Sequence, residues 1–419
     1  MNVRRRSSAA ALAAIAVIGA ATAPAVAADP SPSSSPSTTA PSGLYGSTDP
    51  QYDGVWRQSL ALLAQDTAGV IPSSTAVKWL TDQQCANGAF APFRADPAKA
   101  CDAKTPVDTN NTAAAVQALW AVGGHGDVIE EALGWLKSVQ NEDGGWGYVP
   151  GTPSDANSTS VVIGALTATE TDPAKVVKDG KSPYDALLAF ALPCAKDKGA
   201  GAFAFQPDKD GKLLPNADAT AAGVLGTLGE GLVAEAGKKT GAASCADADQ
   251  PDRERAAANA AAYLTDTLAK DGHLVSALGG SADQPDYGNT ADAVVALAAQ
   301  GGADQAAEPL AWLKKNAAKW AGESGPAAYA QLIFAAHATG TDPRDFGGTD
   351  LVAKLNATGP APQGTTAKDT ATASDDDKTQ DEKKDDDSPF GVWWFVGVCL
   401  LFGVGIGFLL SNRNKKQQP

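Results

Sequence analysis

The chain has 419 residues, with 48 Asp and Glu against 33 Lys and Arg, a formal net charge of −15. Such a surplus of carboxylates repels phosphate backbones, which excludes nucleic acid as a partner. Only 19% of the residues are charged while Ala and Gly abound, so a long coiled coil is excluded as well.

Residues 1–28 begin with Arg4, Arg5 and Arg6, continue in an apolar run and finish on Ala25-Val26-Ala27. That is the layout of a secretory signal peptide, and it is set aside from the fold. Residues 29–43 follow as a Ser/Pro-rich linker, 44–357 as the body, and 358–389 as a charged, disordered stalk. Residues 390–410 carry no charge and are long enough for a transmembrane helix. Trp393 and Trp394 stand near one end of it, and Arg413, Lys415 and Lys416 lie in the tail, 411–419. The positive-inside rule then predicts a single-pass cell-membrane protein with its body extracellular and its C-terminus cytoplasmic. No L-P-x-T-G sequence points to covalent attachment to a cell wall.

Four cysteines fall in the body, Cys85, Cys101, Cys194 and Cys245, and a fifth, Cys399, in the predicted span. An even number in an exported body predicts two disulfides, for which three pairings exist. Sequential pairing is preferred, because each bridge then ties off one insertion between helices. No C-x-x-C pair supports a zinc or thiol-redox site.

Within the body a frame repeats. Trp135-Leu136-x3-Gln140-x3-Gly144-Gly145-Trp146 matches the earlier Trp79-Leu80-x3-Gln84-x3-Gly88-Ala89-Phe90. Weaker copies run from Tyr263 to Leu274 and from Phe190 to Phe203, and Trp312-Leu313 keeps only the start. Each copy reads as a helix ending at a Gly turn, after which an aromatic or apolar residue folds back. A second helix follows each copy. Asp108, Asp155, Asn216 and the Tyr287-Gly-Asn-Thr290 stretch supply N-cap residues ahead of Ala/Val/Leu runs, and Gly325-Pro326 begins a variant. In chain order the helices are expected over 56–65, 74–84, 110–122, 127–140, 157–169, 182–193, 217–236, 252–270, 289–300, 306–320, 326–338 and 348–356. Strands are not expected, because no alternating β-branched run is bounded by turns. The second helices are small and apolar almost all round, as helices buried on every side are. The prediction is an all-α fold, an α6/α6 toroid of six helical hairpins with an open solenoid of hairpins as the alternative, followed by the C-terminal transmembrane helix.

The W-L-x3-Q-x3-G-x-[WF] copies resemble the prenyltransferase and squalene-oxidase repeat. That resemblance implies the α/α toroid of terpenoid cyclases, protein prenyltransferases, complement thioester domains and the cobalamin carriers of the transcobalamin and intrinsic-factor type. The repeat itself is scaffold: Gln140 is expected to satisfy backbone groups at the turn while Trp146 packs on it.

The chemistry of each relative is then sought. The body has no D-x-D-D acid, and no Asp-x-Cys precedes His125, His273 or His337 as a zinc-binding prenyltransferase requires. The thioester sequence G-C-G-E-Q is missing too. These absences disfavour an enzyme, and no metal or cofactor is indicated. Asp208-Lys-Asp210-Gly211 imitates the start of a calcium loop, but Lys212 stands at a ligand position, so a surface turn is expected.

If the second helices line the toroid, their N-termini share one rim. Asp108, Asn110, Asn111, Asp155, Asn157, Asn216, Asp218, Tyr287 and Asn289 are therefore the candidate ligand-binding residues. Such a rim suits a neutral, amide- or hydroxyl-rich small molecule, and the resemblance implies cobalamin. The carriers close over that ligand with a second domain, whereas this chain has a stalk and anchor there, so a separate lid protein or a membrane transporter is the expected partner. Two alternatives stand beside uptake: a terpene-cyclase-like or carbohydrate-active enzyme with unrecognised catalytic residues, and a surface interaction module.

Overall fold

The computed structural model describes residues 41–194, 199–239, 244–246, 252–276 and 284–365. The expected signal peptide, most of the linker, most of the stalk, the span at 390–410 with Cys399, and the tail lie outside the described residues. Among the described residues no helix is long and apolar enough to cross a membrane.

The first hairpin is α1 (Gly54–Thr67) and α2 (Ser74–Asp82), followed by α3 (Thr109–Val122) and α4 (Gly126–Ser138), then α5 (Ala156–Ala168) and α6 (Pro183–Leu188). The second half repeats the scheme with α7 (Ala217–Leu228), α8 (Arg253–Leu268), α9 (Tyr287–Gly301), α10 (Ala307–Ser324), α11 (Pro326–Ala338) and α12 (Leu351–Asn356). Each odd-numbered helix packs on the next odd-numbered one, and α11 returns to α1. The ring is closed, so the open solenoid is ruled out. Even-numbered helices pack outside it. The division follows from side chains: residues 109–119 of α3 and 156–166 of α5 are buried without interruption, whereas α4 buries only Ile129, Ala132, Trp135 and Leu136. Ala-rich helices let backbones approach closely, and one apolar stripe suffices for a helix with solvent behind it.

The repeat works as a staple. The Gln84 amide donates to the Gly88 carbonyl at 3.1 Å and to Val128 at 2.8 Å; Gln140 does the same to Gly144 at 2.8 Å and Val176 at 3.1 Å. Each Gln thus ties its own turn to the next hairpin. Gly144 itself has φ +87°, and a Cβ there would stand 2.3 Å from the Ser182 carbonyl oxygen, so only glycine fits. Beyond the turn, the backbone N–H groups of Phe90, Trp146, Phe203 and Leu274 donate to the hydroxyls of Thr112, Thr159, Thr220 and Thr290 at 3.0, 3.1, 3.0 and 3.0 Å. Their carbonyls accept from the N–H groups of Asp108, Asp155, Asn216 and Asp286. Four successive inner helices are therefore hung in one register.

The disulfides are Cys85–Cys101 and Cys194–Cys245, the sequential pairing. Several expected boundaries move. The helix expected over 182–193 stops at Leu188, because the chain turns there and Ala204 donates to the Phe190 carbonyl at 2.9 Å. The last helix starts at Leu351 rather than 348, where Asp350 caps it. The largest correction is to 217–236: α7 ends at Leu228, with Gly229 left-handed at φ +74°. The following segment passes across the far ends of the inner helices instead. Leu232 donates to the Gln117 side chain of α3 at 2.8 Å, Gly237 to Ala298 of α9 at 2.9 Å, and Glu235 lies 3.2 Å from His337 of α11. Leu232, Val233 and Ala234 are buried there.

The stalk expected from 358 begins as part of the body. Gly364–Thr365 pairs antiparallel with Val70–Ile71, and Tyr45 donates to the Pro360 carbonyl at 3.2 Å. The two ends of the folded body are thereby joined across the first hairpin.

Candidate functional site

The N-terminal ends of α3, α5, α7 and α9 are rich in buried polar residues. Asp108, Asp155 and Asn216 are N-caps, accepting from the backbone N–H three residues on at 2.7, 2.7 and 2.8 Å. The cap of α9 is Asp286, which accepts from Asn289 N–H at 3.1 Å. Second oxygens of three caps are also engaged: Asn111 donates to Asp108, Ser158 to Asp155 and Asn289 to Asp286, each at 2.8 Å. Asn216 makes its cap bond through Oδ1.

The second residue of each helix is different. Asn110, Asn157 and Asp218 hold the same position on α3, α5 and α7, and all are almost wholly buried. Asn157 donates to Asp218 Oδ2 at 2.7 Å across the gap between α5 and α7. On α9 that position is Gly288, beside the amide of Gln331. One turn deeper on α9, fully buried Asp292 accepts from the Gln331 amide of α11 at 3.1 and 3.2 Å. Several buried atoms of the set have no hydrogen-bond partner: both amide atoms of Asn110, Asn111 Oδ1, Asn157 Oδ1, Ser160 Oγ, Asp218 Oδ1 and Asn289 Oδ1. Buried polar groups are rarely left so.

Burial without a counter-charge governs the electrostatics. It pushes Asp108 up to about 7 against hydrogen bonds from Asn111 and Tyr148, and Asp155 up to about 6 against those from Ser158. Asp218 rises to about 7 through burial, aided by the carboxyls of Asp286 and Asp155 and opposed by Asn157. Asp292 lies well above the usual carboxylate range, through burial and then Asp218 and Asp286. Tyr148, whose hydroxyl meets Asp108, is raised too. Burial thus brings Asp108, Asp155 and Asp218 towards neutrality, the range in which perturbed carboxyls mark functional sites.

The predicted rim residues therefore divide. Asp155, Asn157 and Asp218 are brought together with Asp286 and Asp292, while Asp108, Asn110 and Asn111 hold the α3 side. Tyr287 belongs to an aromatic group: its ring lies 5.0 Å from Trp312 and 5.4 Å from Trp320, with His273 4.2 Å from Trp312. Asp286, Asp292, Gln331 and Tyr148 are absent from the sequence-based set. Asp286 had a signal, since it precedes Thr290 by the four residues that separate Asp108 from Thr112, Asp155 from Thr159 and Asn216 from Thr220. Asp292 and Gln331 lie inside largely apolar stretches of their helices, and only the ring shows that they face each other.

Among the described residues no group of His, Cys, Asp and Glu is arranged to hold a metal ion. The Asp208 turn is an exposed one closed by its own side chain, which accepts from Asp210 and Lys212 N–H. A separate cleft of about 1170 Å³ lies on the outer wall, lined by Asn141, Glu142, Ser154, Lys178, Lys181 and Phe190 among others.

No family model matches the sequence, and no curated protein matches it. Among solved structures, a protein from Actinoplanes aligns at 15% identity and a TM-score of 0.46, over 72% of this chain and 95% of its own. A type II terpene cyclase, MstE from Scytonema, aligns at 14% and 0.42, over 65% of this chain and 72% of its own. A sugar epimerase from a ruminal bacterium aligns at 14% and 0.43, over 65% and 80%. These are distant likenesses of shape and transfer no role to this chain. The closed ring of helical hairpins, carried by its own repeat, makes the body an α/α toroid.

Proposed function

We propose that the toroid binds a small, polar, hydrogen-bond-donating molecule at the N-terminal ends of α3, α5, α7 and α9. One observation carries this reading: buried polar atoms of Asn110, Asn111, Asn157, Asp218 and Asn289 lack partners, and they sit on four successive helices. Most of these atoms are acceptors. Asn111, Asn157 and Asn289 spend their Nδ2 groups on carboxylates, which fixes their Oδ1 atoms as acceptors. A ligand that supplies O–H or N–H groups would offset the cost of burying them, on the order of 1–3 kcal/mol for each.

A second reading is favoured by the carboxyls poised near neutrality. Asp155 and Asp218 hold and release protons in the range where a general acid or base works, as an enzyme acting on a hydroxylated substrate requires. The corrinoid implied by the repeat gains no support from the comparisons and enters as one test ligand.

The test is a thermal-shift screen of the full chain against polyols, sugars, amines and cobalamin, repeated with Asn157→Ala. A ligand that stabilises the wild type and loses at least ten-fold in affinity in the variant is the expected result. Equal stabilisation of both proteins by every hit contradicts the site.

A further inference from the structure

The carboxyls raise a question that hydrogen bonding alone does not answer. Asp218, Asp286 and Asp292 come from α7, the cap of α9 and the interior of α9; Asp286 acts electrostatically on both of the others, and Asp218 acts on Asp292. Among the described residues, the charged groups acting on Asp218 are Asp286 and Asp155, and those acting on Asp292 are Asp218 and Asp286. All are carboxylates. Within the inner ring, α11 contributes the neutral Gln331; the outer helices α8 and α10, which pack behind α7 and α9, carry Arg and Lys, but none of these is among the groups acting on Asp218 or Asp292.

The cations of the inner helices are committed elsewhere. Arg57 of α1 donates to Asp53 at 2.9 Å and to the Tyr45 and Thr48 carbonyls at 2.9 and 2.8 Å. His337 of α11 lies beside Glu235 at the opposite end of the ring. The other inner helices contain no Lys, Arg or His. A buried set of carboxyls without a cation either holds protons or takes its positive charge from outside.

We propose that the ligand of this site carries a protonated amine, seated among Asp218, Asp286 and Asp292 with its N–H groups on Asp218 Oδ1 and the nearby Asn157 Oδ1. The inference rests on the binding reading given above and narrows its ligand class. An ammonium group brings three donors and one positive charge, so it answers both the partnerless acceptors and the uncompensated carboxyls. A neutral polyol answers only the first. Hydroxyls elsewhere on the same molecule would meet Asn110, Asn111 and Asn289.

Calorimetry on the full chain with matched probe pairs separates these terms. The pairs are ethanolamine with ethylene glycol, putrescine with butane-1,4-diol, and 3-aminopropane-1,2-diol with glycerol. In at least one pair the amine is expected to bind ten-fold or more tightly than its alcohol at alkaline pH. That margin should shrink as the pH falls through the range where Asp155 and Asp218 take up protons, and Asp292→Asn should reduce it at alkaline pH, where the carboxyl it replaces is charged. Alcohols that bind as well as their amines, with binding lost in Asn157→Ala, would overturn the amine and leave the site standing. Absence of any amine preference together with indifference to Asn157→Ala would overturn both.

Discussion

Raising the pH from about 4.5 to about 8 is expected to lower the thermal stability of the full chain, and Asp218→Asn is expected to remove part of that loss. The sign follows from the direction of the shifts. Asp108, Asp155 and Asp218 have folded-state values raised to about 7, 6 and 7. An unfolded Asp titrates near 3.9, so between these limits the folded state binds more protons than the unfolded one. Stability from these groups is complete below about pH 4 and is lost as the pH rises through 6 to 7. The loss is on the order of 2–4 kcal/mol for one such group. Exposed turn carboxylates such as Asp102 and Asp172 act in the opposite direction. Their hydrogen bonds hold them below the usual range, so their contribution disappears only in stronger acid. Asn at position 218 keeps the size and an acceptor for Asn157 without the charge. At pH 8 the variant should therefore be more stable than the wild type, by about 2 kcal/mol. Denaturant melts of both proteins across that pH range decide it, and parallel curves would contradict the account.

The largest loss of stability is expected from Trp146→Ala. The Trp146 side chain is 1% exposed, and its ring N–H donates to the Leu136 carbonyl at 2.8 Å. Its backbone N–H is bonded to Thr159, which in turn fixes the start of α5. Truncation removes the ring from the joint between an outer and an inner helix and leaves a helix-end carbonyl without that donor. A cost of about 3–5 kcal/mol is expected for an aromatic removed from a packed core. Because α5 also carries Asp155 and Asn157, ligand affinity should fall with stability in this variant. Urea unfolding followed by circular dichroism measures the first effect. A loss below about 1 kcal/mol would show that the repeat is not the staple described.

Much of this architecture was legible in the residues themselves. Gln140 and Trp146 announced a turn and a buried ring because their spacing recurs at Gln84 and Phe90. The Asp and Asn caps announced inner helices because short polar side chains satisfy exposed N–H groups. The errors have physical reasons. Residues 230–236 contain good helix formers, so propensity carried the expected α7 onward, whereas Gly229 and the bond from Leu232 to Gln117 redirect the chain. The proposed site was legible in part. Asn157 and Asp218 lie in cap sequences and were candidates, though pattern alone could not tell that they touch. Asp292 and Gln331 meet across 39 positions of sequence, and nothing local marks such a pair. Tyr287 was expected at the rim from its place at a helix start; its ring stacks with Trp312 and Trp320, an aromatic neighbourhood that the cap sequence alone does not announce.

The division between scaffold and site has a consequence for mechanism. Caps hold the helix ends whether or not a ligand is present, so Asp108 and Asp155 serve the fold first. Asp218 and Asp292 have no such duty, and their burial is a standing cost. A group kept buried at a cost with an atom still lacking a partner, as Asp218 is at Oδ1, is one through which a bound molecule gains affinity.

Hydrogen–deuterium exchange of the full chain, with and without the best ligand from the screen, tests the central claim most directly. Slowed exchange at 108–112, 155–159, 216–220 and 286–290 is predicted, because these are the first turns that the ligand would bridge. Slowed exchange confined to 140–154 and 178–190, along the outer cleft, would place the ligand outside the ring and contradict the account.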